Sequence, residues 1–152
     1  MKNNNDLFYT CSLIEYIGRE KKQKRSSVVA ALGEKNLKQI YSYADVFHCE
    51  PIANTADEFV GICGIEEGSF DNVSACEYEV PDYWTIGEVY ARLIEDSLPN
   101  DVLPSEADVI VSKLIEVYSS WIDDSIQDYN TDFFYQPREY IAACYEEGSV
   151  LE

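Results

Sequence analysis

Apolar residues recur at helical steps along most of this chain. Leu7, Phe8, Cys11, Ile14 and Ile17 make a first stripe, behind the polar run Asn3-Asn4-Asn5-Asp6 that suits a helix start. A second, short stripe runs through Val28, Val29 and Leu32, with Ser26 or Ser27 placed to cap it and Gly33 to end it. Asn36 opens a third, with Leu37, Ile40, Tyr41, Ala44, Phe47 and His48 on its apolar side and Pro51 beyond its end. Thr55 and Glu58 have capping-box spacing before Phe59, Ile62 and Cys63, and Thr85 and Glu88 repeat it before Ile86, Val89, Tyr90, Leu93 and Ile94.

The longest periodic segment covers 106–129, which as one helix spans about 36 Å. Ser105 is placed to cap it. Ile110, Val111, Leu114, Ile115, Tyr118, Trp121, Ile122 and Ile126 give it an apolar face wide enough for neighbours on two sides, so it is the expected central helix. Phe133-Phe134-Tyr135 then forms an aromatic linker. Pro137 opens a last helix that turns Tyr140, Ile141, Cys144 and Tyr145 inward and ends at Gly148. Only residues 64–82 break the helical pattern. Cys76 to Val80 alternates and predicts a short strand stopped by Pro81, so this region holds at most one short hairpin. The expected fold is mainly α: one domain over 1–152, an irregular helical bundle of about six helices, with a subdivision into 1–53 and 54–152 as the alternative.

Charge changes this picture most. Residues 1–38 carry eight of the eleven Lys and Arg and four acids; residues 39–152 carry three bases (Arg92, Lys113, Arg138) and 25 acids. The second part is therefore near −22 and the whole chain −18. Such a field repels nucleic acid and anionic membranes and attracts basic partners. The basic run Arg19 to Arg25 reads either as a grip for phosphate or RNA, or as a solvated loop or one docked on the protein's own acidic body. The acidity of the remainder favours the latter.

The five cysteines are odd in number and without a C-x-x-C pair, which predicts free thiols in a reducing compartment. The apolar stretch Leu7 to Ile14 is short and its basic residues follow it, unlike a secretory leader. No run approaches the roughly 20 apolar residues of a membrane span. A cytoplasmic protein without membrane attachment is expected.

Candidate chemistry is sparse. His48 is the only histidine, and its place on an apolar stripe at a helix end predicts a structural role. His48, Cys49, Cys63 and Cys76 have the elements of a zinc site but not the paired spacing. Asp123, Asp124 and Asp128 fall short of a magnesium-binding cluster, because position 127 is Gln and no phosphate loop accompanies them. No metal, cofactor or catalytic residue is assigned.

The stretch Phe8, Cys11, Ile14-Glu15-Tyr16, Val29, Leu32-Gly33 and Ile40-Tyr41 to Val46-Phe47-His48 resembles a small helical family of unknown function in Clostridia-type bacteria. The resemblance covers residues 7–60, and the chain departs from it in the basic run and in the acidic residues that follow. Genes of that family sit beside ADP-ribosyltransferase-like toxins, so the resemblance implies a toxin–antitoxin or phage-defence neighbourhood. It transfers no catalytic residue.

The function expected from these features is a non-enzymatic protein-binding module, antitoxin-like or accessory, that takes a basic or toxin-like protein on an acidic surface with aromatic anchors. Its candidate contact residues are Tyr78, Tyr83, Trp84, Asp123, Asp124, Asp128, Tyr129, Phe133, Phe134 and Tyr135. Two alternatives remain open. One is a DNA mimic that blocks a nucleic-acid-binding enzyme, which needs carboxylates spaced like phosphates along one face. The other is a small enzyme using His48 with nearby acids. Direct nucleic-acid binding by the chain itself is not expected.

Overall fold

A computed structural model describes residues 4–152. Among them every regular element is helical: α1 (Asn5–Lys21), α2 (Arg25–Ser42), α3 (Ala44–Phe47), α4 (Ile52–Cys63), α5 (Asn72–Ala75), α6 (Tyr83–Ser97), α7 (Ala107–Tyr118), α8 (Ile122–Gln127) and α9 (Arg138–Glu147), with a 3-10 turn at Phe133–Tyr135. The helical class is as the periodicity predicts. The number of helices is larger, because the 106–129 segment divides into α7 and α8 and the short α3 and α5 are added, while the two helices expected on either side of Gly33 run together as α2.

The central helix is α1, not the 106–129 segment. α1 packs most extensively against α6 and then against α2 and α4. It is buried almost all round, with Thr10, Ser12 and Glu15 covered as completely as Leu7, Leu13 and Ile17. Asn4 fixes its start: the side-chain oxygen accepts from Leu7 N at 3.0 Å, and the backbone N donates to Glu95 on α6 at 2.8 Å. Asn3, the first residue of the expected cap, lies outside the described residues. α1 and α6 cross closely at Gly87, where a Cβ would lie 2.7 Å from the Ser12 Cα. A one-stripe reading underestimates such a helix, because its second face is lined by small and polar residues.

The 106–129 segment breaks after Tyr118. Ser120 Oγ donates to Val117 O at 2.7 Å and lies 3.3 Å from Ile122 N, so the hydroxyl takes over backbone partners that a continuous helix would use. α8 then runs separately. α2 is kinked at Gly33, whose φ of 74° and ψ of 166° lie outside the helical region. Asn36 does not cap a new helix; it bridges the kink by donating to Leu32 O at 2.9 Å. Neither Ser26 nor Ser27 caps α2, which begins at Arg25.

The helix expected at Thr55 starts earlier, at Ile52, behind Pro51. Asp82 caps α6 by accepting from Thr85 N at 2.7 Å. α9 follows Pro137 and ends at Gly148, as predicted.

No strand forms at residues 76–80. The segment finds no partner strand, and its backbone turns to side chains instead, as when Glu77 N donates to Asn130 Oδ1 at 2.7 Å. The preceding residues cross the end of α1, with Gly68 N and Phe70 N donating to Lys21 O and Lys22 O, each at 2.8 Å. All five cysteines are free. Among the described residues no helix is long and apolar enough to cross a membrane.

Candidate functional site: the two faces of α8

Two members of the basic run, Arg19 and Arg25, are drawn into the protein, while Lys22 and Lys24 keep about half of their side chains in solvent. Gly18 leaves room beside α1, where a Cβ would come within 2.6 Å of the Arg25 Nε, and the Arg25 side chain fills that space with no exposure. It meets Glu15, also fully buried, in a two-pronged pair: Nε to Oε1 at 3.0 Å and Nη2 to Oε2 at 2.9 Å. Arg19 Nε adds a bond to Oε2 at 2.8 Å, Gln127 Nε2 one to Oε1 at 2.8 Å, and the Tyr129 hydroxyl donates to Oε2. Burial by itself would raise the Glu15 pKa. The Arg25 charge and its hydrogen bonds, with Arg19 and Tyr129, outweigh burial and hold it at about 2. Burial and the neighbouring Glu15 carboxylate push the Tyr129 hydroxyl the other way, upward.

Gln127 carries this network to a second carboxylate. Its Nε2 also donates to Tyr90 OH at 3.1 Å, and that hydroxyl donates to Asp123 Oδ1 at 2.5 Å. Asp123 Oδ2 accepts from Ser26 N at 3.2 Å, so a carboxylate from α8 occupies the N-terminus of α2 that its own serines leave uncapped. Here burial prevails over Tyr90, Ser26 and Arg25, and the Asp123 pKa rises to about 6. Asn72 closes the network from α5, donating to Gln127 Oε1 at 2.8 Å and accepting from Arg25 Nη2 at 3.2 Å.

These bonds fix the orientation of α8. Ile122, Asp123, Ile126 and Gln127 face inward, and Asp124 and Asp128 stand four residues apart on the exposed side. On one flank of that ridge lies a cleft of about 380 Å³, whose wall includes Phe70, Asn72, Gln127 and Tyr129 and whose rim holds Asp71. On the other lies a cleft of about 540 Å³ walled by Phe133, Tyr140, Val150 and Leu151, with Asp132 and Glu152 beside it. Both clefts include Asp124 and Asp128. Lys24 approaches Asp124 at 3.5 Å, with both side chains largely in solvent.

The ten candidate contact residues therefore divide. Asp124 and Asp128 lie exposed on the α8 ridge, and Tyr78 is 70% exposed just after Glu77, which is tied to Asn130 at the cleft edge. Asp123, Tyr129 and Phe133 are buried and offer no free surface: Asp123 and Tyr129 belong to the internal network, and Phe133 packs on Trp121 and Tyr140. Tyr83, Trp84, Phe134 and Tyr135 belong to another face, around α6. There Trp84 packs at a tilt against Phe8, and Tyr135 is 83% exposed.

His48 is not a core residue. It caps the C-terminus of α3, lies exposed, and makes no side-chain hydrogen bond among the described residues. It lies outside the clefts around α6 and α8. No group of three or more His, Cys, Asp or Glu among the described residues is placed to hold a metal ion.

Sequence reasoning missed Glu15, Arg25, Gln127, Tyr90 and Asn72 as one unit. A signal was present: Glu15 shares a helix face with Cys11, Ile14 and Gly18, and an acid in an apolar stripe beside a glycine calls for a buried cation.

No family model, curated protein or solved structure matches this chain. The functional reading rests on its own geometry.

Proposed function

We propose that the protein is a non-enzymatic binding module that takes a basic protein partner on the outer face of α8. The observation that carries this reading is the exposed pair Asp124 and Asp128, set between two clefts with partly apolar walls. Basic side chains of a partner would meet the ridge while apolar groups beside them enter the clefts, and the internal network would hold the ridge in place without rearrangement. Lys24 approaches Asp124 on the ridge, in an exposed pair that a partner's base can replace at small cost, and other bases are committed elsewhere. Arg19 and Arg25 are committed to Glu15, Lys38 to Glu34 and Asp108, and Arg138 to Glu95 and Asp96. The toxin-like neighbourhood implied by residues 7–60 makes an antitoxin or accessory role the first form of this reading to try.

The test is affinity capture from the native host with the wild-type chain and with Asp124→Asn/Asp128→Asn, followed by salt-dependent association kinetics on the captured protein. The reading expects a partner of high pI whose association slows with salt and with the double substitution. Capture only of neutral or acidic proteins, or an association rate indifferent to salt, would contradict it.

A further inference from the structure

The acidic part of the chain has only two arginines, Arg92 and Arg138, and the fold brings both to one groove on the α6 side of the molecule. The groove has two lobes. One, about 190 Å³, has an apolar floor of Val89, Leu93 and Ile141 and an aromatic wall of Phe134 and Tyr135; Thr85 and Gln136 add polar groups. The other, about 240 Å³, runs past Phe8, Asn5 and Ala91 toward Glu95. Glu88, Arg92 and Arg138 border both lobes, so the two are continuous and together reach the size range of small-molecule sites.

Charge distinguishes this groove from the clefts at α8. Among the described residues those are lined by Asp71, Asp124 and Asp128, and by Asp124, Asp128, Asp132 and Glu152, with no base in either lining and Lys24 near Asp124 outside them. The groove at α6 is lined by Glu88, Arg92 and Arg138, with Glu95 in the second lobe, and because Arg138 is already paired with Asp96 and Glu95, Arg92 is the cation it offers a ligand. Arg138 is held rigidly: Nε and Nη2 reach the two Asp96 oxygens at 2.9 and 2.8 Å, and Nη2 lies 3.3 Å from Glu95. Arg92 is the adaptable one, half exposed and paired among the described residues only with Glu88 one turn away on the same helix. An exposed pair of that kind contributes little, so a ligand anion can replace Glu88 at the guanidinium at small cost.

We propose that this groove binds a small aromatic monoanion, a carboxylate or sulfonate on a flat ring system. The ring lies on the Val89–Leu93–Ile141 floor against Phe134 and Tyr135, and the anionic group pairs with Arg92. The site is independent of the α8 face and of the protein partner proposed for it. In a chain of net charge −18, an anion is repelled everywhere that a local cation does not hold it.

The probe is 1-anilinonaphthalene-8-sulfonate, with uncharged N-phenyl-1-naphthylamine as its control, titrated against the folded protein by fluorescence. Saturable one-to-one binding of the sulfonate is expected, displaced by 2-naphthoate and about tenfold less effectively by 2-naphthalenemethanol. Arg92→Gln should weaken sulfonate binding about tenfold, the effect of one lost charge-assisted hydrogen bond, and leave the uncharged control unchanged. Tyr135→Ala should weaken both probes, and Asp124→Asn/Asp128→Asn neither. Thermal melts of each variant verify the fold. Absence of saturable sulfonate binding, or binding unaffected by Arg92→Gln in a folded variant, overturns the proposal.

Discussion

Asp123 and Asp124 are neighbours on α8 and carry the same group, yet they belong to opposite regions of the molecule. Asp123 is 2% exposed, bonded to Tyr90 and Ser26, and part of a network that ends on the Glu15–Arg25 pair. Asp124 stands in solvent with one loose contact to Lys24. The interior uses its charges against each other. The outer face leaves carboxylates free for another molecule. The acidity that appears uniform along residues 39–152 therefore divides by helix phase into acids that hold the fold and acids that face outward.

The sharpest way to break this comparison is to unpair the interior. Arg25→Met leaves Glu15 buried without its main cation and should cost about 3–5 kcal/mol, by urea denaturation. The double variant Glu15→Leu/Arg25→Met should recover most of that loss, because it removes both charges together. Equal destabilisation by the single and double variants would show that packing at this position, not charge pairing, sets the cost.

A second effect, of about 2–3 kcal/mol, distinguishes the two interior carboxylates by pH. The Asp123 pKa rises from its ordinary 3.8 to about 6 in the folded state, so the folded state holds its proton more tightly. Its contribution favours folding at low pH and is lost as pH rises from about 4 through about 6. Glu15 has the opposite sign. Its pKa falls from 4.5 to about 2, so its contribution is present above about 4.5 and disappears as pH falls toward 2. Stability should therefore rise on acidification from pH 7 to about 5 and decline below about 4. Asp123→Asn should remove the rise and keep the decline; a rise that survives this substitution would place its origin elsewhere.

The legibility of these regions in the sequence follows from the range of the interactions. The stop at Gly148 and the helical class could be read from neighbouring residues, whereas the cap assigned to Thr85 belongs to Asp82 three residues earlier. The break after Tyr118 could not, because Ser119 and Ser120 are compatible with a helix until a hydroxyl captures a backbone partner. The network was harder still: Glu15 meets Gln127 and Tyr129 across more than 110 residues. A run of lysines and arginines gives no sign of which members turn inward. The run reads as a solvated loop or one docked on the acidic body; pairing of Arg19 and Arg25 with a buried Glu15 is neither. Asp124 and Asp128 were legible as exposed positions from helix spacing alone, whereas Asp123 beside them was grouped with the wrong face.

The smallest effect concerns His48. Exposed and without a hydrogen-bond partner among the described residues, it should tolerate His48→Ala within about 0.5 kcal/mol. A loss of 1–2 kcal/mol in the same denaturation experiment would return it to the structural role that its sequence position suggests.

Separate roles for the two faces of α8 predict opposite results in one paired measurement. Asp123→Ala and Asp124→Asn/Asp128→Asn are compared for unfolding free energy and for association rate with the captured basic partner at low salt. Asp123→Ala should lower stability while the folded fraction associates at the wild-type rate. The outer-face variant should keep wild-type stability and associate about fivefold more slowly, with a weaker salt dependence. Loss of association in the folded Asp123→Ala protein, or an unchanged rate in the outer-face variant, would contradict the account.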